Sequence, residues 1–159
     1  MIMKSVSVNS EVTINYPDSF ALMDSDEMKK IFLEDAKDRW AVWDREKHAV
    51  LCVNWQHYGA LQILLADIKA VALRNQMIAA EKYKERNYNY KFDRYLERKI
   101  AGKKSRGYCF EYDQNGEHRY GRIYLFKHGT SIYAVACFCK EPYEKEFEEI
   151  LDGIKLKKN

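Results

Sequence analysis

Residues 107–139 read GYCFEYDQNGEHRYGRIYLFKHGTSIYAVACFC. Apolar and polar residues alternate in the first part of this segment, and the Asn115-Gly116 pair that follows is the strongest short-range signal for a β-hairpin. His128-Gly129 is a second turn signal further along. The segment therefore predicts a meander of three antiparallel strands. They cover residues 107–112, 119–127 and 131–139.

Further strands and two short helices are predicted on either side of the meander. Apolar and β-branched runs predict strands over residues 12–16, 39–43, 48–55 and 95–100. Ser25 followed by acidic residues is typical of a helix start and predicts a helix over about 26–34. A closing helix is predicted over 143–151, where Phe147 and other apolar residues share one face.

The longest periodic stretch follows Gly59. Apolar and neutral residues recur there at helical spacing: Leu61, Leu64, Leu65, Ile68, Val71, Ala72, Asn75 and Ile78. This spacing predicts one long amphipathic helix over about 59–84, with the stripe facing the core. Residues 85–92 are polar and aromatic, and we interpret them as a link between this helix and the sheet.

Helices that alternate little with strands, beside a meander, define an α+β fold. We expect a central antiparallel sheet of about six strands sandwiched between helices, with one long helix in the middle of the chain. The 159 residues suit a single domain over 1–159, with an ordered core over about 11–156. No Pro-, Gly- or Ser-rich linker divides the sequence.

The sequence carries no apolar signal segment and no apolar run of membrane-spanning length. We therefore expect a cytoplasmic protein without a membrane partner. In a reducing compartment the four cysteines are expected to be buried thiols. Cys137 and Cys139 flank Phe138, so on a strand both would point to the same face.

No catalytic or cofactor motif is recognised. The histidines and cysteines do not have zinc-ligand spacing, and no Gly-x-Ser-x-Gly, P-loop or dinucleotide-binding pattern occurs. We expect no metal, no cofactor and no enzymatic activity. A small-molecule or catalytic site remains an alternative around Cys52 and His57, which could form a thiolate pair, or around an aromatic pocket built by Trp40, Trp43 and Trp55.

Charge is distributed unevenly along the chain. Residues 17–38 carry a net charge of −4, whereas residues 81–106 carry ten Lys or Arg and a net charge of +6. Cations interleaved with aromatic rings can hold single-stranded nucleic acid, and Tyr and Arg also anchor protein interfaces. The candidate partner-binding residues are Lys91, Arg94, Arg98, Lys103, Lys104, Arg106, Tyr88 and Tyr90.

The order of elements resembles the superfamily shared by the Ran-binding release factor Mog and the photosystem II protein PsbP. Three sequence segments support the resemblance, which covers about residues 11–156. They are Tyr16-Pro17-Asp18-Ser19-Phe20 after the first strand, the turn Gly102-Lys103-Lys104 before the meander, and the closing Glu149-Ile150-Leu151-Asp152-Gly153-Ile154-Lys155-Leu156. The resemblance implies an antiparallel sheet between helices. It transfers no site residue, since no ion or partner motif of that family matches here.

Members of that superfamily are mostly adaptors, assembly factors and subunits without catalytic activity. The resemblance therefore implies a non-catalytic adaptor or subunit that binds another protein. A nucleic-acid-binding module using residues 81–106 is the alternative, and a small-molecule binder or enzyme is a second alternative. The partner and the oligomeric state are left open by the sequence.

Overall fold

The structure, a computed structural model, describes residues 2–32, 38–46 and 49–158. These residues form four helices and ten strands. The helices are α1 (Ser25–Ile31), α2 (Ala60–Leu65), α3 (Ile68–Glu85) and α4 (Glu144–Asp152). The strands are β1 (Met3–Val8), β2 (Val12–Pro17), β3 (Ala21–Leu22), β4 (Arg39–Asp44), β5 (Ala49–His57), β6 (Lys91–Ile100), β7 (Lys103–Gln114), β8 (Glu117–His128), β9 (Ser131–Cys139) and β10 (Lys155–Leu156).

The predicted meander forms one side of a seven-stranded antiparallel sheet of order β3-β4-β5-β9-β8-β7-β6. β7 and β8 pair from Arg106 with Leu125 to Gln114 with Glu117. The turn between them has positive φ at Asn115 (52°) and at Gly116 (77°), as a two-residue hairpin turn requires. The predicted antiparallel sheet is confirmed, with seven strands rather than about six.

A second sheet of three strands, in the order β1-β2-β10, was not predicted. β1 pairs with β2 from Met3 opposite Pro17 to Val8 opposite Val12. The predicted ordered core began at residue 11, so this first strand lies outside it. The side chains of β1 are mostly exposed, and the strand therefore lacks the strong apolar alternation that marks a half-buried strand.

The large sheet is covered on both faces, but helices supply only one of the two covers. α1, α2 and α3 pack on one face, whereas α4 and the small sheet pack on the other. Alternate residues of β9 point to the two faces of the large sheet. Val135 and Cys137 lie on the face covered by α4, and Ala136 and Phe138 lie on the face covered by α1, α2 and α3. The predicted sandwich between helices is thus correct for one face and partly wrong for the other.

The predicted long helix is two helices. α2 ends at Leu65, and Asp67 caps a new helix by accepting a hydrogen bond from the Lys69 backbone nitrogen at 3.1 Å. The stripe that we expected to face the core is also only partly buried. Ala72 is 2% exposed and Val71 and Ile68 pack on the sheet. Four of its residues are exposed: Leu61, Leu64, Leu65 and Ile78.

Several element boundaries also differ from the prediction, among them the start of β7 at Lys103 rather than at residue 107. β6 begins at Lys91, inside the predicted link, where Lys91 pairs with Glu111. A bulge between Phe92 and Arg94 interrupts the alternation by which this part of the strand could be predicted. α1 is capped by Asp24 rather than Ser25: its carboxylate accepts from the Glu27 nitrogen at 2.8 Å, and the Glu27 carboxylate accepts from the Asp24 nitrogen at 3.1 Å. The predicted residues 33–34 of this helix, and His48 of the predicted strand 48–55, lie outside the described residues.

Candidate protein-binding surface

α3 has an unusual distribution of side chains. Its sheet-facing positions include Ala72, Asn75 and Gln76, whereas Met77 and Leu73 are exposed to solvent at 58% and 46%. The polar groups that face inward have partners. The Tyr108 hydroxyl donates to Asn75 Oδ1 at 2.6 Å, and two further tyrosines bond to Gln76. The outer face of α3 therefore carries more apolar surface than a helix on the surface of a monomer needs.

Tyr88 and Tyr90, two predicted partner-binding residues, pack within an aromatic cluster. Their ring centroids lie 6.1 and 5.5 Å from that of Tyr83, which is itself buried. The Tyr90 hydroxyl also accepts a hydrogen bond from the Gln76 amide at 3.1 Å. These rings stabilise the contact between α3 and the sheet, so they are not free to stack on bases.

The predicted arginines are paired within the chain and lie on different faces of the sheet. Arg98 binds Glu148, and its second nitrogen lies 2.6 Å from Asp152. Arg94 lies on the same face as Arg98. Arg94 also lies 2.7 Å from Asp93, and Arg106 lies 2.6 Å from Glu97. Ion pairing neutralises these cations, which weakens their attraction for a nucleic acid backbone.

Lys91, Lys103 and Lys104 are exposed, as is the ion-paired Arg94 of the predicted set. Lys103 and Lys104 begin β7, directly after a tight turn in which Ala101 and Gly102 have φ of 49° and 79°. They line an open groove together with Leu64 of α2. The segment 81–106 therefore divides into a packed, ion-paired part and a basic turn that borders α2.

The three leucines of α2, here called the α2 tip, are the most exposed apolar group of a helix in the described residues. Leu61, Leu64 and Leu65 are 68%, 76% and 73% exposed. The helix beneath them is held firmly, because Lys127 Nζ donates to the carbonyl oxygens of Ile63 at 3.1 Å and of Ala66 at 2.7 Å. The leucines are thus presented to solvent by a fixed turn of helix.

The α2 tip is also anchored at its beginning. The Gly59 nitrogen donates to Gln62 Oε1 at 2.9 Å, and Ile63 packs against the sheet while its neighbours point outward. The preceding Tyr58 nitrogen donates to the Thr130 carbonyl at 2.7 Å. The start of α2 is therefore attached to the loop between β8 and β9, and its end is attached to β8 through Lys127.

The three tryptophans do not form one pocket. Trp40 packs edge-on against Tyr16 at 5.3 Å, and Trp55 lies 6.5 Å from Tyr133, both on the α4 side of the sheet. Trp43 lies on the opposite face with the helices.

His57 is exposed at the end of β5, where its Nδ1 lies 3.0 Å from Thr130 Oγ1.

The cysteines are free thiols in the core. Burial raises the pKa of Cys52 to about 12. The thiol is therefore protonated at neutral pH, whereas a nucleophilic pair with His57 requires a thiolate. Cys137 and Cys139 share a face, as predicted, with their sulfur atoms 3.0 Å apart. Burial also raises the pKa of Cys137. Among the described residues, no group of three His, Cys, Asp or Glu side chains could hold a metal ion.

A small cavity of about 140 Å³ lies between the sheet and the start of α4. Arg122 and Glu144 lie on its wall, with Arg122 Nη2 3.3 Å from Glu144 Oε1, and Cys137 and Cys139 also line it. Because the arginine is already paired, the cavity offers a ligand little uncompensated charge.

None of the helices in the described part of the chain is long and apolar enough to cross a membrane.

Comparison with solved structures places this arrangement among known folds. Cyanobacterial PsbP (CyanoP) from Synechocystis sp. PCC 6803 is similar, with a TM-score of 0.67, 11% identity and coverage of 98% of this chain and 92% of that one. The Ran-binding protein Mog1p from Saccharomyces cerevisiae has a TM-score of 0.54 and 9% identity, with coverage of 94% and 82%. The chain has the fold shared by PsbP and Mog1p, as its sequence suggested.

A protein of Bacteroides thetaiotaomicron is also similar, with a TM-score of 0.64 and 14% identity over the whole of this chain. This chain spans half the length of that protein. No protein-family profile matches the sequence, and no curated protein matches it. At these identities the likeness concerns the fold alone.

Sequence reasoning missed the α2 tip because its leucines have the same helical spacing as the core-facing residues that follow. Asp67, a residue type that favours helix caps, was the one local signal for a break before α3. A break there makes α2 a six-residue helix. Leu61, Leu64 and Leu65 share one face of this helix, and the helix turns its other side, with Ile63, toward the sheet.

Proposed function

We propose that this protein is a non-catalytic protein-binding domain that contacts its partner through the α2 tip, with Lys103 and Lys104 at the border of the contact. The observation that carries the proposal is the exposure of Leu61, Leu64 and Leu65 on a firmly held helix. Contiguous exposed apolar groups rimmed by polar residues mark interaction sites on soluble domains.

Two further observations support a protein partner. Mog1p, which has this fold, is a Ran-binding protein, so the fold is compatible with protein binding. In the basic segment, Arg94, Arg98 and Arg106 are ion-paired within the chain. A nucleic-acid site would need those charges for phosphates, whereas an apolar contact bordered by two lysines does not.

Affinity capture from native lysate, with and without nuclease, tests the proposal. The comparison includes wild type, Leu61→Ser/Leu64→Ser/Leu65→Ser, and Lys103→Glu/Lys104→Glu. Leu22→Ser is the matched control, because Leu22 is equally exposed at 68% on the β3 edge. We expect a protein that survives nuclease, is captured by wild type and Leu22→Ser, and is lost with the triple variant.

Two results would contradict the proposal. Capture that disappears with nuclease would move the function to nucleic acid. A partner retained equally by the triple variant would place the contact elsewhere on the molecule. The lysine variant separates the two parts of the surface, since it should weaken capture in a salt-dependent way while the leucine contact remains.

A further inference from the structure

The outer face of α3 has a symmetric arrangement of charge and apolar surface. Met77 and Ile78, 58% and 43% exposed, occupy its centre. Arg74 lies about one turn before them and Glu81 about one turn after them, and both are exposed. These four residues line one shallow surface groove with Leu73 and Ala70. A positive end, an apolar centre and a negative end thus follow one another along a single helix face.

Such a face is complementary to itself. When two copies of a helix pack antiparallel about a two-fold axis, the first half of one copy meets the second half of the other. With the axis between Met77 and Ile78, Met77 of each copy lies beside the other's Ile78, and Arg74 of each copy lies beside the other's Glu81. We infer that α3 forms such a two-fold contact and that the protein is a homodimer.

The free charges favour a second copy of this chain over another occupant. Within the described residues, neither Arg74 nor Glu81 makes an ion pair, and both stand directly beside exposed apolar side chains. A uniformly acidic or basic partner would satisfy one of the two charges and repel the other. A second copy satisfies both of them at once.

The interior of α3 supports the same conclusion. Its sheet side carries Ala72, Gln76 and Tyr83, all buried, whereas Leu73, Met77 and Ile78 face outward. A helix on the surface of a monomer usually keeps such large apolar side chains on its core-facing side. Leu73 also borders the adjoining groove that reaches Tyr95 on β6, which extends the apolar area available to a dimer.

This inference goes beyond the proposed function and uses a different surface. The α2 tip and the outer face of α3 have no residue in common, so their variants test them separately. A dimer would present two α2 tips, one from each copy. Loss of partner capture would leave the dimer intact, and loss of the dimer would leave each α2 tip exposed.

The test is sedimentation velocity or light scattering on the full chain, from about 1 µM to about 1 mM, the range that brackets weak to moderate association. We expect the mass to rise with concentration from 18.9 kDa toward twice that value. Arg74→Glu alone and Glu81→Arg alone should each weaken self-association at least about tenfold, because like charges then meet at both ends of the contact.

Mixing the two single variants is the decisive arm. Arg74→Glu supplies two negative positions and Glu81→Arg supplies two positive ones, so an equal mixture should form a heterodimer and associate more tightly than either variant alone. This arm also shows that both variants are folded. A wild type that stays monomeric throughout, a dimer unaffected by either substitution, or a mixture that stays monomeric would each overturn the inference.

Discussion

The buried Tyr108 hydroxyl of β7 donates a 2.6 Å hydrogen bond to the side chain of Asn75 on α3. The neighbouring Gln76 amide donates to Tyr90 at 3.1 Å. α3 is thus oriented on the sheet by specific polar contacts rather than by a continuous apolar stripe. Hydrogen bonds constrain the rotation of the helix about its axis, and this rotation decides which residues face outward. The exposure of Met77 follows from these contacts.

Tyr108→Phe should lower the free energy of unfolding by about 1–2 kcal/mol, because it leaves Asn75 without its buried donor. Adding Asn75→Leu should recover part of that loss, since both partners are then apolar. Urea denaturation of the single and double variants measures the effect. Equal stability of wild type and Tyr108→Phe would mean that the hydrogen bond does not hold α3.

Glu148 connects α4 to the large sheet. It accepts from the Tyr124 hydroxyl at 2.6 Å and from Arg122 Nε at 3.1 Å, and it pairs with Arg98. Burial alone would raise the pKa of Glu148, but the bonds from Tyr124 and Arg98 outweigh burial and lower it below its usual value of 4.5. Glu148→Gln should therefore cost about 1–2 kcal/mol of stability at neutral pH.

The pH dependence of this effect has a definite sign. Because the pKa is lower in the folded state, the unfolded chain takes up the proton first, and Glu148 stabilises the fold above about pH 4.5. The stability gap between wild type and Glu148→Gln should shrink as the pH falls below that value. Glu149→Gln, at the exposed neighbouring position, is the control. A gap that stays constant with pH would contradict the assignment.

Gly121 on β8 lies opposite Phe110 on β7. A Cβ at this glycine would stand only 2.3 Å from the end of the Phe110 ring, which is buried and packed by neighbouring rings. Gly121→Ala should therefore destabilise the protein by about 1–3 kcal/mol through overpacking. Gly59→Ala, where the nearest atom is 3.5 Å away, should have a much smaller effect. The melting temperatures of the two variants and the wild type, measured by thermal unfolding, test this difference.

Cys52 should be chemically inert in the native protein. Only the thiolate reacts, and burial raises the pKa of Cys52 to about 12. Mass spectrometry after timed alkylation at pH 8 should show Cys52 modified much more slowly than Cys109, which is nearer the surface. Denaturant should make the two rates similar. Rapid native labelling of Cys52 would instead revive the alternative of a catalytic thiol.

The parts of the fold that were predicted correctly depend on local signals. The Asn115-Gly116 turn and the alternation around it fix the hairpin between β7 and β8 without reference to the rest of the chain. β6 was placed too late because its bulge at Asp93 breaks the period of two. β1 was missed because its pairing with β2 buries few of its own side chains.

The candidate site depends on contacts that a single sequence does not reveal. Gln76 and Asn75 face inward only because tyrosines distant in sequence supply partners. Leu64 faces outward because α2 ends at Leu65 and a separate helix, capped by Asp67, follows it. Helical periodicity reports which residues share a face, but it does not say which face lies against the sheet. The hydrogen bonds of Asn75 and Gln76 determine which face of α3 lies against the sheet.

Site-specific photo-crosslinking in living cells tests whether the α2 tip contacts a protein partner. A benzophenone side chain would replace Leu64 in the α2 tip or, as a control, Leu22 on the β3 edge, two positions of similar exposure at 76% and 68%. We expect a discrete protein adduct from position 64 and none from position 22. The absence of a protein adduct at position 64, or the same adducts at both positions, would contradict this expectation.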